Sequence, residues 1–226
     1  MMMVIIGAGP IGVNLIEQAL AGTNNELIVV ESDPKLADAC AENHDVRVLS
    51  MDVGDDAFVK ESELARAEAL IATTDDDSTN LMAVLLAKEA GVETLTSTVS
   101  RSSHTGMFRR LGVHVLGDPE RLVAQHLLDI TLLPEISDVT TLRGGQQIIE
   151  LRLDKDSPLI GLTAAEIRDR RLLNEDLQLL ARVHGDHTGP FADDDRLEPG
   201  DGIILFAAER LRGRRRRIFR EKRQGG

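Results

Sequence analysis

Met3-Val4-Ile5-Ile6-Gly7-Ala8-Gly9-Pro10-Ile11-Gly12 decides how the rest of the chain is read. Four consecutive apolar residues fit a strand buried on both faces, the habit of parallel sheets. The six residues that follow match G-x-G-x-x-G, and a helical pattern runs from Ile11 to about Ala21. A second apolar run, Leu27-Ile28-Val29-Val30, closes on Glu31, nineteen residues after Gly12. Each part has a physical use. Gly7 allows the tight turn, Gly9 lets the backbone approach a pyrophosphate, and Gly12 lets the helix pack close to the strand. The helix start offers unpaired N–H groups and the positive end of its dipole to phosphates. Glu31, at the tip of the second strand, can accept hydrogen bonds from an adenosine ribose. Strand, glycines, helix, second strand and terminal acid in register read as a site for an adenine nucleotide.

The α/β rhythm continues. Pro34 opens a helix to about Asn43, Val46 to Leu49 form a third strand, and Asp55 to Ala67 read as an acid-led helix. Ala69 to Ala72 are strand four, Asp77 to Ala90 a helix closed by Gly91, and Thr94 to Val99 strand five. A helix over Ser103 to Leu111, a strand over Val113 to Leu116 and a helix from Pro119 to about Ile130 complete the series. Alternation of this kind implies a Rossmann-like, doubly wound parallel sheet, an α/β fold. Ligands in such sheets lie beyond the carboxyl ends of the strands, which nominates Gly7, Glu31, Asp52, Thr73, Thr74 and Thr98.

At Leu133-Pro134 the pattern changes to short β-like runs, Ile148 to Leu153, Leu177 to Val183 and Ile203 to Ala207. Between them Thr163 and Glu166 form a capping box, His184-Gly185-Asp186 a hairpin turn, and Leu197 to Asp201 another turn. The expected organisation is a first domain over residues 1–132, a small α+β domain over 133–209, and a basic tail over 210–226.

The 226 residues carry a net charge of −12, which argues against general nucleic-acid binding. From Glu209 onward nine basic residues face two glutamates, leaving −19 on the remainder. No window is apolar over the roughly 18 residues of a membrane span, so the chain reads as soluble and cytoplasmic. Cys40, the single cysteine, sits among alanines in a helical pattern and reads as core filler. Asp75-Asp76-Asp77 reads as a solvated helix start, with divalent-cation binding as the alternative. His184, Asp186 and His187 read as exposed turn residues, and Asp193-Asp194-Asp195 as a solvated loop. Thr74 and Ser32 have no evident base beside them, so nucleophilic catalysis has no support.

Four further segments carry a resemblance. They are Leu70-Ile71-Ala72-Thr73-Thr74-Asp75-Asp76-Asp77-Ser78-Thr79-Asn80, the run from Phe108 to Leu122, Ser157-Pro158-Leu159-Ile160-Gly161, and Leu197-Glu198-Pro199-Gly200-Asp201. In order behind the glycine motif, they resemble the RCK-type subunits of bacterial and archaeal potassium-uptake systems, the Trk/Ktr family. The resemblance implies an RCK N-terminal domain followed by an RCK C-terminal domain. It implies a pocket for NAD(H) or ATP/ADP lined by Gly7, Ala8, Gly9, Pro10, Ile11, Gly12, Glu31, Asp52, Val53, Thr73, Thr74 and Thr98. Where the family often has a phosphate-binding arginine this chain has Thr98, with Arg101 three residues on. The implied role is that of a regulatory subunit, not an enzyme, gating a separate potassium-translocating membrane protein. Dimers joined through the helix after Pro119, assembled into a ring at the inner face of the cell membrane, follow from the same resemblance. The basic tail could touch anionic lipid headgroups. Two other functions compete: an NAD-dependent oxidoreductase and a Rossmann-type redox or transcriptional sensor. Against the first, the second domain is small and shows no acid/base set for hydride transfer. Against the second, no helix-turn-helix pattern flanks the fold.

Overall fold

Strands β1 (Met2–Ile6), β2 (Glu26–Glu31), β3 (Arg47–Ser50), β4 (Ala69–Ala72), β5 (Thr94–Val99) and β6 (His114–Gly117) form one parallel sheet. Their order is β3-β2-β1-β4-β5-β6, so the direction of winding reverses between β1 and β4. The computed structural model describes residues 1–22, 25–132, 136–142, 144–173, 176–185, 187–191 and 195–209. Leu133-Pro134, Asp186, Asp193, Asp194 and the basic tail, all invoked from the sequence, lie outside the described residues.

Helices α1 (Pro10–Gly22), α2 (Pro34–Asn43), α3 (Phe58–Glu61), α4 (Asp77–Glu89), α5 (Thr105–Arg110) and α6 (Pro119–Leu132) connect or follow the strands. Alternate residues of β1 enter two cores. Val4 and Ile6 pack with Leu70, Ala83, Val84 and Phe108, whereas Met3 and Ile5 pack with Ile16, Val29 and Cys40. Helices therefore cover both faces, which is why β1 is apolar throughout. Truncating a fully buried residue such as Ile5 would cost about 2–5 kcal/mol.

The helix expected over Asp55 to Ala67 is not continuous. α3 ends after one turn, where the Ser62 hydroxyl donates to Phe58 O at 2.6 Å and competes with the helical ladder. Glu63 then turns into the left-handed region at φ +53°, and Leu64–Arg66 form a single 3-10 turn.

Beyond α6, strands β7 (Ile136–Thr141), β8 (Gln147–Arg152), β9 (Leu177–His184), β10 (His187–Pro190) and β11 (Gly202–Ala207) form an antiparallel sheet in the order β10-β9-β11-β8-β7. Helix α7 (Ala164–Asp169) starts at the expected capping box, with Thr163 Oγ1 accepting from Glu166 N–H and Glu166 accepting from Thr163 N–H. Strands β7 and β10 are additions to the sequence reading. The chain divides into compact units Met1–Leu122 and Val123–Gly226, so the division falls inside α6 rather than after it.

Candidate functional site

The carboxyl ends of β1, β2, β4 and β5 surround a cavity of about 490 Å³ in the first unit. Gly7, Gly9, Pro10 and Ile11 form one wall; Glu31, Ser32 and Leu36 a second; Thr73, Thr74, Asp75, Asp76 and Thr79 a third. Thr98, Ser100, Pro119 and Glu120 complete it. It sits where the winding of the sheet reverses, the usual ligand position in such folds.

The three glycines of the motif do different things. Gly7 has φ +99°, and a Cβ there would stand 3.1 Å from Thr74 Cγ2. A Cβ on Gly12 would stand 2.0 Å from Gly7 O, so the first turn of α1 can lie against β1 only with glycine. A Cβ on Gly9 would meet nothing within 4 Å. Gly7 and Gly12 serve the chain, while Gly9 leaves room over the cavity.

Glu31 is 9 % exposed, and its carboxylate grips the glycine loop. Oε2 accepts from Ala8 N–H at 2.7 Å and Oε1 from Asp33 N–H at 2.8 Å. Ala8 thus acts through its backbone, buried behind the cavity wall. Thr73 clasps the other side: its hydroxyl donates to Ile6 O at 3.0 Å, with Gly7 O at 3.3 Å.

Asn80 was not singled out from the sequence. It is fully buried; Oδ1 accepts from Thr74 N–H at 3.1 Å and from the Thr74 hydroxyl at 2.7 Å. Nδ2 donates to Thr74 O at 2.9 Å and to Thr98 O at 3.3 Å. One amide therefore ties the ends of β4 and β5 together. The signal was present, because Asn80 shares its buried helix face with Ala83, Val84 and Ala87. Ser32, Leu36, Ser100, Pro119 and Glu120 are further wall residues that the motifs did not identify.

The three aspartates after β4 separate into three roles. Asp75 lines the cavity, and Asp76 caps α4 by accepting from Ser78 and Thr79 N–H. Bonds from the Thr79 hydroxyl and these amides hold the Asp76 carboxyl below its ordinary range. Asp77, read as solvated, is only 7 % exposed and reaches the loop after β5. Its carboxylate accepts from Ser100 N–H at 2.8 Å and Arg101 N–H at 3.1 Å, with His104 Nδ1 at 2.7 Å. Burial alone would raise its pKa, but these three contacts outweigh burial and lower it.

Asp52 and Val53 do not line this cavity. Asp52 is exposed and accepts from Gly54 N–H at 2.7 Å, while Val53 belongs to the core. Arg101 is exposed and also lies outside the lining. The ionisable side chains of the lining are all carboxylates: Glu31, Asp75, Asp76 and Glu120. Buried Cys40 packs with Ile16 and Val29; burial and then Glu31 push its thiol up. His184 faces Asp201 rather than solvent alone, its Nδ1 2.7 Å from Oδ1.

The TrkA-N domain model matches residues 3–119, just over half of the chain and the whole of the cavity apart from Glu120. A Trk system potassium uptake protein TrkA homolog from Methanothermobacter thermautotrophicus is 24% identical over 168 residues, 74% of this chain and 77% of that one. A TrkA homolog from Methanosarcina mazei is 25% identical over 207 residues, and TrkA of Azorhizobium caulinodans is 28% identical over 208. These cover 90% of this chain, which spans under half of each of those two relatives. Among solved structures, the GsuK channel bound to NAD superposes with a TM-score of 0.60 at 19% identity, over 91% of this chain and 37% of that one. A second structure of the GsuK channel gives 0.64 at 19% identity with the same coverage, and at this identity the likeness concerns the fold alone. Matched across the same strands and glycine loop that build the cavity, the chain belongs to the TrkA-N domain family.

Proposed function

We propose that this chain is a nucleotide-binding regulatory subunit of a potassium-uptake system and that its cavity takes NAD(H). The observation that carries this is Glu31, fixed at the end of β2 against the glycine loop beside the open face of Gly9. A carboxylate has about four acceptor sites, so with two occupied it can still receive ribose hydroxyls. Exposed Ile11 and Leu36 offer apolar surface to an adenine. The start of α1 faces the phosphates, whereas the first amides of α4 are taken by Asp76.

Charge favours a dinucleotide over ATP. Four carboxylates line the cavity, and like charges about 4 Å apart repel by about 1 kcal/mol even in bulk water. The two charges of a pyrophosphate are easier to place there than the longer, more charged chain of ATP. NADP brings a 2′-phosphate towards a carboxylate that cannot swing away. Asp52 and Val53 stay outside the proposed binding set, since neither lines the cavity and Val53 is a core residue.

The same reading makes the chain a binding protein rather than an enzyme. Histidine, lysine, tyrosine and cysteine, the usual groups for proton transfer near neutrality, are absent from the described lining. Ion passage falls to a membrane subunit in this reading, in line with the potassium-uptake names of the TrkA relatives. Self-association has a candidate surface in α6, where Leu122, Val123, Leu127, Leu128 and Leu132 are 45 to 61 % exposed. A nucleotide that binds two ring shapes with different affinity would bias the membrane subunit, which places the chain at the cytoplasmic face of the membrane. The domains proposed for this work are an RCK N-terminal domain over 1–132 and an RCK C-terminal domain over 133–209, with tail residues 210–226 near the lipid.

Calorimetric titration tests the pocket. NAD or NADH should bind more tightly than ATP, and NADP at least tenfold more weakly than NAD, about 1.4 kcal/mol. Gly9→Asp should abolish binding without lowering the melting temperature, because the position is open in the fold. NADP bound more tightly than both NAD and ATP would overturn the assignment of Glu31. Steady turnover of NADH with a pocket-dependent substrate would favour an oxidoreductase instead.

A further inference from the structure

We infer that Asp77 is a positioning residue that makes the cavity select a dinucleotide over a mononucleotide. The inference deepens the proposed function and rests on it. In the strand order, β2 and β5 flank the central pair β1–β4 on opposite sides. Glu31 ends β2, whereas Thr98 and Ser100 stand at and just beyond the end of β5. An adenosine anchored at Glu31 therefore leaves the β5 side of the cavity for the second nucleotide, as the two halves of this fold dictate.

Ser100 and Arg101 belong to the loop after β5, and Asp77 ties that loop to α4. From the first turn of α4 its carboxylate receives both Ser100 N–H and Arg101 N–H, and His104 Nδ1 lies 2.7 Å from Oδ2. Asp77 does not line the cavity and would not touch ligand. It fixes the wall that the second nucleotide meets. An asparagine cannot replace it, because its one oxygen cannot serve Ser100 N–H on one side and Arg101 N–H with His104 on the other. Whichever way the amide is turned, its NH₂ faces a donor.

The test compares NAD with AMP in calorimetric titrations of the full chain, together with amide exchange at Ser100 and Arg101. For Asp77→Asn, NAD affinity should fall about tenfold, AMP affinity should stay within twofold, and both amides should exchange faster. His104→Ala, which leaves both backbone bonds in place, should show the same pattern at about threefold and decides the matter if Asp77→Asn does not fold. NAD and AMP weakened equally in the deciding variant, or neither weakened, would overturn the inference while leaving the pocket intact. A wild-type chain that binds neither NAD nor AMP would instead overturn the pocket itself, and this inference with it.

Discussion

Asp77 in the parallel-sheet unit is 7 % exposed and receives two loop amides and a histidine; Asp201 in the antiparallel unit is 2 % exposed and receives Glu198 N–H, Arg182 Nε and His184 Nδ1. In both, burial would push the carboxyl up and hydrogen bonds outweigh it, so both pKa values are lowered. The partners differ. Asp201 faces the Arg182 guanidinium, a permanent cation whose side chain is only 16 % exposed, within a turn and its neighbouring strand. Asp77 holds two neutral amides, of which that of Ser100 belongs to the wall of a cavity. Removing the first leaves a mostly buried charge with only the 4.0 Å contact to Glu198, and removing the second releases a loop. The same chemistry therefore serves stability in one unit and recognition in the other.

The largest expected effect follows from that contrast. Asp201→Ala should destabilise the chain by about 3 kcal/mol, the low end of the cost of breaking a buried ion pair, since Arg182 keeps a 4.0 Å contact to Glu198. Chemical denaturation should show the loss in the transition of the second unit, with NAD affinity unchanged within twofold. If Asp77→Ala lowered stability as much as Asp201→Ala, the difference between the two knots would disappear.

A smaller stability effect with a larger functional one is expected at Asn80. Asn80→Ala leaves Thr74 N–H without its partner and Thr74 O with only the long contact to the Thr98 hydroxyl, while Thr98 O keeps the Ser97 hydroxyl, at about 1–3 kcal/mol in all. NAD affinity should fall at least tenfold as well, since both threonines line the cavity. A stability loss of this size with unaltered NAD binding would place Asn80 with Asp201, as a residue of the fold alone.

What could be read from the sequence follows the same division between the units. β1, β2 and β4 are apolar runs buried on both sides and were placed by that signal, whereas β3, β5 and β6 carry polar or exposed residues and were placed by their alternation with helices. β7 was not, because its buried residues Ile136 and Val139 are three apart. A register shift between Ile136 and Asp138 absorbs the extra residue, so the spacing imitates a helix although the backbone is extended. β10 has no large apolar residue at all and is marked only by its pairing with β9. In the site, Gly7, Gly9, Glu31, Thr73, Thr74 and Thr98 were legible because strand ends converge by topology. The bonds from Asp77 to Ser100 and Arg101 span 23 and 24 residues of sequence, and no spacing rule reports a side chain that crosses between loops.

The smallest effect is the one on pH, and it reads both carboxylates at once. A carboxyl whose pKa is lower folded than unfolded stabilises the chain fully above its unfolded value and loses that contribution as pH falls through its folded value. With unfolded aspartates near 3.9, stability should hold down to about pH 4 and then decline as each carboxylate takes up its proton. Asp77→Asn and Asp201→Asn should each flatten this acid limb, since neither variant has a proton to take up at that site. They should differ at neutral pH, where Asp201→Asn leaves Arg182 with only its 4.0 Å contact to Glu198 and lowers the whole plateau, while Asp77→Asn lowers it less. Urea unfolding at pH 7, 5, 4 and 3 separates the two signatures. Acid limbs parallel to the wild type in both variants would mean that other carboxylates govern acid unfolding, and equal neutral plateaus would mean that Arg182 does not depend on Asp201.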